Sequence, residues 1–384
     1  MTLLGGLRGL GRRLLRPGLV RAVAGASASR HALLLYTVRA FTDTDPGVRH
    51  QNVAQQRELA RALDELGYEV DAAAFDETRS RLLPHAYDLV VDLHPRSDTL
   101  YRDHLRPGAL RIAYLTGSRP AFSDAAERER LDDLERRRGV RLRPRRQVGR
   151  FEDEVLAGYD ACFYFGESTT FSTYDGVRLP PSYALPNSGY EVEPTDPALR
   201  DGRRFLFLGS VGQVHKGLDL LLELFASEPG LRLEVCADLS REPDFARAYR
   251  GELTATPNIH VHGFVDVRSD SFRRLQATCG TMVLPSCAEG QSGTVTVAMA
   301  YGLPCAVSRW CGFDDPGLVL LPDCRPETLR AIVRGLAERP PSEVKRSAEE
   351  TLALFRRRYR PAHYAAAVRA ALREVLGRAG VSPP

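Results

Sequence analysis

The sequence predicts an α/β protein of two doubly wound, Rossmann-like domains that face a cleft, and three observations predict it. The 384 residues and 43% hydrophobic content suffice for two domains, each with its own core. Short apolar runs alternate with helical stretches, which is the pattern of parallel sheet covered by helices. That pattern starts near residue 32 and restarts near residue 204, across a Pro-, Asn-, Gly- and Asp-rich stretch, Leu185–Gly202, that reads as a linker.

In the first series, Ala32–Val38 reads as a buried strand, and Gln51–Leu66 shows helical periodicity that stops at Gly67, a natural terminator. Tyr68–Ala72, Leu89–Leu93, Arg111–Leu115 and Ala161–Phe165 are further strands. In the second, Phe205–Leu208 is a strand, Gly217–Phe225 a helix and Leu231–Ala237 a strand, followed by Ile259–Phe264, Thr281–Leu284 and Pro304–Val307. The expected domains are 31–190 and 200–340, with a helical, Ala/Arg-rich segment at 341–384 that breaks near Pro361. Paired domains of this kind bind ligands where the carboxyl ends of their strands meet the cleft.

Composition narrows the classes. No window approaches 18 uncharged apolar residues, so no membrane-spanning helix is expected. The seven cysteines (Cys162, Cys236, Cys279, Cys287, Cys305, Cys311 and Cys324) are odd in number and contain no CxxC pair. Buried thiols in a reducing cytoplasm fit better than a disulfide framework or a zinc site. Net charge is only +4, yet residues 1–42 hold seven arginines and no acid. A basic terminus on a near-neutral body points to an anionic surface rather than to nucleic acid. Residues 1–30 interleave leucines with arginines, and three readings stay open. They are a disordered tail, an amphipathic segment on the anionic inner face of the membrane, and a signal peptide. The last is disfavoured because Arg8, Arg12, Arg13 and Arg16 interrupt the apolar stretch.

The sharpest chemical signal is Val283–Ser308, VLPSCAEGQSGTVTVAMAYGLPCAVS. A strand ends at Pro285–Ser286, a loop carries Glu289 and Gly290, and a helix opens at Ser292–Gly293–Thr294 and ends at Gly302. Free backbone N–H groups at the positive end of such a helix suit a diphosphate. Read by itself, the stretch is also an ordinary strand–loop–helix crossover. Its combination of about eight positions resembles the motif of the retaining GT-B glycosyltransferases of family 4 (group 1). That resemblance implies a nucleotide diphosphate sugar as donor substrate and no further cofactor. It places Glu289 on the donor sugar hydroxyls, and the backbone of Ser292, Gly293 and Thr294 on the diphosphate. The family's second glutamate, which holds the ribose, is here Val297.

Phe205–Leu220, FLFLGSVGQVHKGLDL, resembles the family's strand–Gly–loop–Lys-Gly segment, with Lys216 on the diphosphate as a point charge. The arginine expected just after Gly209 is Ser210, and His215 or an arginine elsewhere stands in. Asn258–Val265 resembles the strand before the donor pocket, and Asp314 or Asp315 the acidic end of a Gly-rich loop. In the first half, Asp45-Pro46-Gly47 resembles the turn that approaches the donor phosphates, with Val48 at the usual second glycine. His94, at the carboxyl end of a strand, faces the donor sugar or the leaving phosphate. Pro186-Asn187 resembles the interdomain turn, a structural role that suits asparagine.

Arg136–Arg150 holds eight arginines and no acid. It reads first as a solvated basic loop, then as a site for an anionic acceptor or lipid phosphate, and last as an RNA site, since aromatics are not interleaved. Asp43-Thr44-Asp45 matches a DxD pattern but sits in the first-strand loop, where no metal is expected. The resemblance therefore implies metal-independent glycosyl transfer to a glycan, lipid-linked or small-molecule acceptor, in glycan or cell-surface polysaccharide biosynthesis. The alternative, favoured by Val297 and Ser210, is a GT-B-like protein that binds a ligand or partner without turnover.

Overall fold

The computed structural model describes residues 18–25, 28–42, 50–93, 95–148 and 151–381. The first sheet has seven strands: β1 (Leu19–Ala24), β2 (Arg30–Tyr36), β3 (Tyr68–Ala74), β4 (Tyr87–Asp92), β5 (Leu105–Leu115), β6 (Ala161–Phe165) and β7 (Ser182–Leu185). Their order is β1-β3-β2-β4-β5-β6-β7, parallel except for β1. The inner strands are apolar on both faces because both are covered. Leu33 and Leu35 pack with Ala73 and Val90 on one side, and Ala32 and Leu34 with Val70 and Leu89 on the other.

The second sheet has six parallel strands: β8 (Asp201–Leu208), β9 (Arg232–Cys236), β10 (Ile259–Val261), β11 (Cys279–Leu284), β12 (Cys305–Ser308) and β13 (Val319–Leu321). Their order is β10-β9-β8-β11-β12-β13. The chain lays β9 and β10 on one side of β8, then returns to place β11 on the other. The strand order therefore reverses between β8 and β11, and the loops leaving these two strands open a crevice. In the first sheet the same reversal lies between β2 and β4.

The helices of eight residues or more are α1 (Gln51–Asp64), α2 (Pro120–Arg138), α3 (Leu218–Ala226), α4 (Asp270–Ala277), α5 (Gly293–Ala300), α6 (Pro326–Ala337), α7 (Pro341–Arg358) and α8 (Pro361–Arg378). Pro361 starts α8, where its missing N–H costs nothing. The break it marks lets the chain end cross back. Leu354, Phe355 and Tyr359 complete the second core, while Tyr364, Val368 and Leu372 join the first. The described part of the C-terminal segment, residues 341–381, is thus shared between both domains. Among the described residues no helix is long and apolar enough to cross a membrane.

Two expectations change. The first domain begins at Leu19 rather than at residue 31, because Leu19–Ala24 pairs antiparallel with the edge of β3. That short strand is hidden in sequence by the Leu/Arg run before it. The rest of the basic segment, residues 1–17, lies outside the described residues, and so does the membrane-surface expectation that rests on it. The arginine run is the second change. Helix α2 leaves the first sheet but buries Leu131 and Leu134 in the core of the second domain. Arg137 Nη2 stands 2.6 Å from Asp219 Oδ2 and also pairs with Glu223. Arg138 pairs with Glu252 at 2.6 Å, and Arg145 with Asp244 at 2.6 Å. Three arginines of the run, Arg137, Arg138 and Arg145, therefore clamp the domains, while Arg136, Arg141, Arg143 and Arg146 are exposed as a solvated run would have them.

Asp219 is fully buried. Burial pushes its carboxyl up to about 6 against the pull of Arg130 and Arg137. Removing Arg137 strands that carboxylate, and losing one partner of a buried pair is strongly destabilising. Arg137→Ala is expected to lower unfolding free energy by about 3 kcal/mol in a denaturant titration, with partial recovery in Arg137→Ala/Asp219→Ala. A loss within the error of the titration would contradict the clamp.

Candidate functional site

The loops that leave β8 and β11 meet at the crevice. After β8, Gly209 lies on the ring of Phe207, which a Cβ would approach to 2.6 Å. Gly217 has φ +76° and sits against Pro285, where a Cβ would come within 2.6 Å of the ring, so only glycine fits. This turn aims Lys216, 3% exposed, at the loop after β11, and its Nζ stands 2.5 Å from Glu289 Oε1. Ser286 Oγ donates to the same carboxylate oxygen at 3.0 Å. His215 Nε2 lies 2.5 Å from the carbonyl oxygen of Ala288. A carbonyl only accepts, so Nε2 carries the proton and Nδ1 is an acceptor, buried without a partner.

Burial pushes the Glu289 carboxyl up, but Lys216, Arg146 and His215 outweigh it and hold it at about 2. Burial pushes His215 down to about 4, against the weaker pull of Glu289. At neutral pH the Glu289 carboxyl is therefore ionised and the His215 imidazole neutral.

Helix α5 opens beside this pair. Ser292 is its N-cap residue, with its N–H given to the carbonyl of Cys311 at 2.9 Å. By position, Gly293 and Thr294 have first-turn N–H groups without intrahelical acceptors. Gln51, the first residue of α1, donates from Nε2 to the carbonyl of Gly293 at 2.7 Å. The positive ends of two helices, one from each domain, therefore meet at the crevice. His50 precedes α1, and desolvation lowers its imidazole, with Arg146, Lys216 and Arg39 adding to the effect.

The first domain closes over the loop. Ser118 N donates to the carbonyl of Glu289 at 3.1 Å, and Thr170 Oγ1 to that of Gly290 at 2.7 Å. A Cβ on Gly290 would come within 2.9 Å of Gly117 Cα, so backbone meets backbone there. Asn187 donates to Gln291 from its backbone N at 2.7 Å and from Nδ2 at 2.5 Å, and accepts from Gln55 at 2.6 Å.

The structure thus brings Glu289, Lys216, Gly209, Gly290, Ser292, Gly293 and Thr294 into two adjoining loops. Ser210 is exposed at the rim, its carbonyl accepting from Gln213 Nε2 at 2.6 Å. The nearby N–H groups of Gly212 and Gln213 are taken by Glu242 at 2.6 and 3.2 Å, so that turn does not offer them to an anion. Val297 is 4% exposed and part of the hydrophobic core, which leaves no polar group at that position. Asp314 accepts from Ser168 at 2.5 Å and Thr169 at 2.8 Å, and Asp315 pairs with Arg358 at 3.4 Å. Both acids are spent on contacts with neighbouring segments rather than on the crevice. Pro46, Gly47 and His94 lie outside the described residues.

Sequence reasoning misses Arg146 as a site residue. It is exposed, its stem lies 2.5 Å from where a Cβ on Gly212 would be, and its charge acts on both Glu289 and His215. The signal was double: an arginine is missing at Ser210, and the run 136–150 has a surplus. Gln51, Ser118 and Thr170 carry no comparable signal, because nothing in their local sequence marks them.

Two doubly wound domains with a loop pair at their junction define the GT-B fold. The family model described as glycosyl transferases group 1 matches residues 202–338, the second domain. No curated protein sequence matches the chain. Among solved structures, it is similar to sucrose-phosphate synthase from Thermosynechococcus elongatus, with TM-score 0.63 and 14% identity over 91% of this chain and 100% of that one. It is similar to alpha,alpha-trehalose 6-phosphate synthase from Burkholderia multivorans, with TM-score 0.62 and 13% identity over 91% and 100%. Alr3699/HepE of Anabaena, solved with UDP and glucose, gives TM-score 0.56 and 15% identity over 91% and 99%. The chain covers about half of TarM, 54% of that protein's length, with TM-score 0.54 and 9% identity. At these identities the likeness shows the fold.

The buried His215 sets a pH dependence. Its folded value lies below the ordinary 6.5. Between 6.5 and about 4 the unfolded chain therefore binds a proton that the folded chain does not. Stability falls as pH drops through that window, by about 2 kcal/mol at pH 5. Melting at pH 7 and pH 5 should show a larger drop for the native chain than for His215→Gln. Equal drops would contradict this assignment.

Proposed function

We propose that the chain transfers a sugar from a nucleotide diphosphate sugar to an acceptor with retention, in glycan or cell-surface polysaccharide biosynthesis. The observation that carries this reading is the Lys216–Glu289 pair at the open end of α5, in the crevice where the strand order reverses. The match of residues 202–338 to glycosyl transferases group 1 supports it. So does the binding of UDP by the structurally similar Alr3699/HepE.

In this reading the diphosphate lies against the N–H groups of Gly293 and Thr294. Glu289 accepts hydrogen bonds from the sugar hydroxyls, which places the anomeric carbon next to the first domain. As the bond from that carbon to the phosphate oxygen breaks, negative charge gathers on the leaving diphosphate. Lys216 and the α5 terminus stabilise it, and because they are already in place they do not reorganise during the step. Arg146 supplies, from the other domain, the cation that Ser210 lacks. The acceptor hydroxyl oxygen bonds to the same face of the sugar, and its proton passes to the oxygen of the departing diphosphate. Val297 leaves the ribose without a carboxylate, so donor affinity rests more on the phosphates. With Asp314 and Asp315 spent on contacts to neighbouring segments, the reading needs no divalent metal for transfer.

The test is release of nucleoside diphosphate from a panel of donors, with chelator present. Glu289→Ala and Lys216→Ala are each expected to lower kcat by about 100-fold or more, as the loss of one preorganised charge partner does. Arg146→Ala is expected to lose about 10-fold, and Ser210→Arg in that background to restore part of it. Release that needs added magnesium or manganese, or that survives both Glu289→Ala and Lys216→Ala, would overturn the reading.

A further inference from the structure

We propose that His31, His85 and Glu69 form a binding site for a divalent transition-metal ion, zinc foremost, at the amino-terminal edge of the first sheet. The site is independent of the crevice, which lies at the opposite, carboxyl ends of the strands.

The topology brings these three residues together and sets Asp71 beside them. His31 and Glu69 are register partners on the parallel strands β2 and β3. Asp71, two residues on, projects from the same face. His85 comes from the segment before β4, and its ring stacks on that of His31 with centroids 4.0 Å apart. His31 Nδ1 lies 3.8 Å from Glu69 Oε1. His85 Nε2 lies 3.5 Å from the same oxygen and 3.8 Å from Asp71 Oδ2.

These separations decide between two readings. An imidazolium–carboxylate hydrogen bond closes to about 2.7–2.9 Å, and none of the three distances does. Both ring nitrogens are instead buried with no hydrogen-bond partner, an arrangement that costs free energy while nothing fills it. A tetrahedral zinc ion with bonds of about 2.0–2.2 Å holds its ligand atoms roughly 3.4 Å apart. The two histidine–Glu69 separations, 3.8 and 3.5 Å, are within a few tenths of an ångström of that, and the three ligand atoms all lie within 4.8 Å of one another. Two imidazoles and one carboxylate suit zinc in donor type and leave a fourth position open to water.

The surroundings orient the ligands. Asp71 accepts from the backbone N of Ala22 at 2.9 Å and from Tyr87 Oη at 2.8 Å, and this anchored carboxylate, 3.8 Å from His85 Nε2, is an outer support for the His85 ring. Asp71 is 1% exposed, while His31, Glu69 and His85 are 15%, 14% and 21% exposed. The ion is therefore shielded below and reached from one side. Its ligands belong to β2, β3 and the lead-in to β4, so binding ties the edge of the sheet.

The experiment uses untagged protein stripped with chelator, titrated with zinc in a calorimeter and with cobalt(II) in a spectrophotometer. One equivalent of zinc is expected, with a rise in melting temperature and the visible bands of four-coordinate cobalt. His31→Ala and His85→Ala should each weaken zinc binding at least ten-fold and abolish the rise, while His363→Ala should change neither. His31→Gln and His85→Gln keep the side-chain size and serve if an alanine variant does not fold. No uptake by the native chain, or uptake unchanged in both histidine variants, would overturn the proposal.

Discussion

A lysine and a glutamate held 2.5 Å apart, with side chains 4% and 10% exposed, set the geometry on which the rest of the crevice depends. Charges taken so far out of water are stable only if each has the other and further hydrogen bonds. Ser286 gives Glu289 one of those, and neutral His215 locks the two loops by its bond to Ala288. The β8 loop must also turn tightly enough to deliver its charge, which Gly217 permits, and Gly290 lets the backbone of the first domain close on the β11 loop. The pair therefore ties together the loops of two strands, its partners 73 residues apart in sequence.

Meeting the second domain is the next constraint. The loop that carries Glu289 is covered by Ser118, Thr170 and Asn187, all from the first half of the chain. Helix α2 crosses in the same sense, and its arginines hold Asp219, Glu223 and Glu252. Helices α7 and α8 return the chain end to both cores. Three connections thus set the width of the crevice. The arginine-rich segment that follows α2 places Arg146 over the β8 loop, so one stretch of chain both clamps the domains and adds a cation to the site.

The strands were legible because buried strands must be apolar, and the Val283–Ser308 stretch because strand end, loop and helix start follow in one continuous motif. Glu289 and Lys216 could be named from their own loops. What was not legible depends on contacts between distant segments. Gln51 and Ser118 are ordinary residues until the domains meet. Leu19–Ala24 looks like a continuation of the basic leader because its partner, β3, follows 50 residues later. Arg146 sits in a run that composition alone reads as a solvated loop, since nothing local distinguishes an arginine aimed at a carboxylate from one aimed at water. Val297 and Ser210, by contrast, mark in the sequence where the chain departs from the motif it resembles, and the structure shows a core position at one and a rim position at the other.

The central claim is that the Lys216–Glu289 crevice binds the diphosphate of a nucleotide. Calorimetric titration of the native chain and Lys216→Ala with a set of nucleoside diphosphates tests it most directly. The account predicts one saturable site for at least one nucleotide, at least ten-fold weaker in Lys216→Ala. Binding of equal strength in the two proteins, or no binding of any nucleoside diphosphate by the native chain, would contradict it.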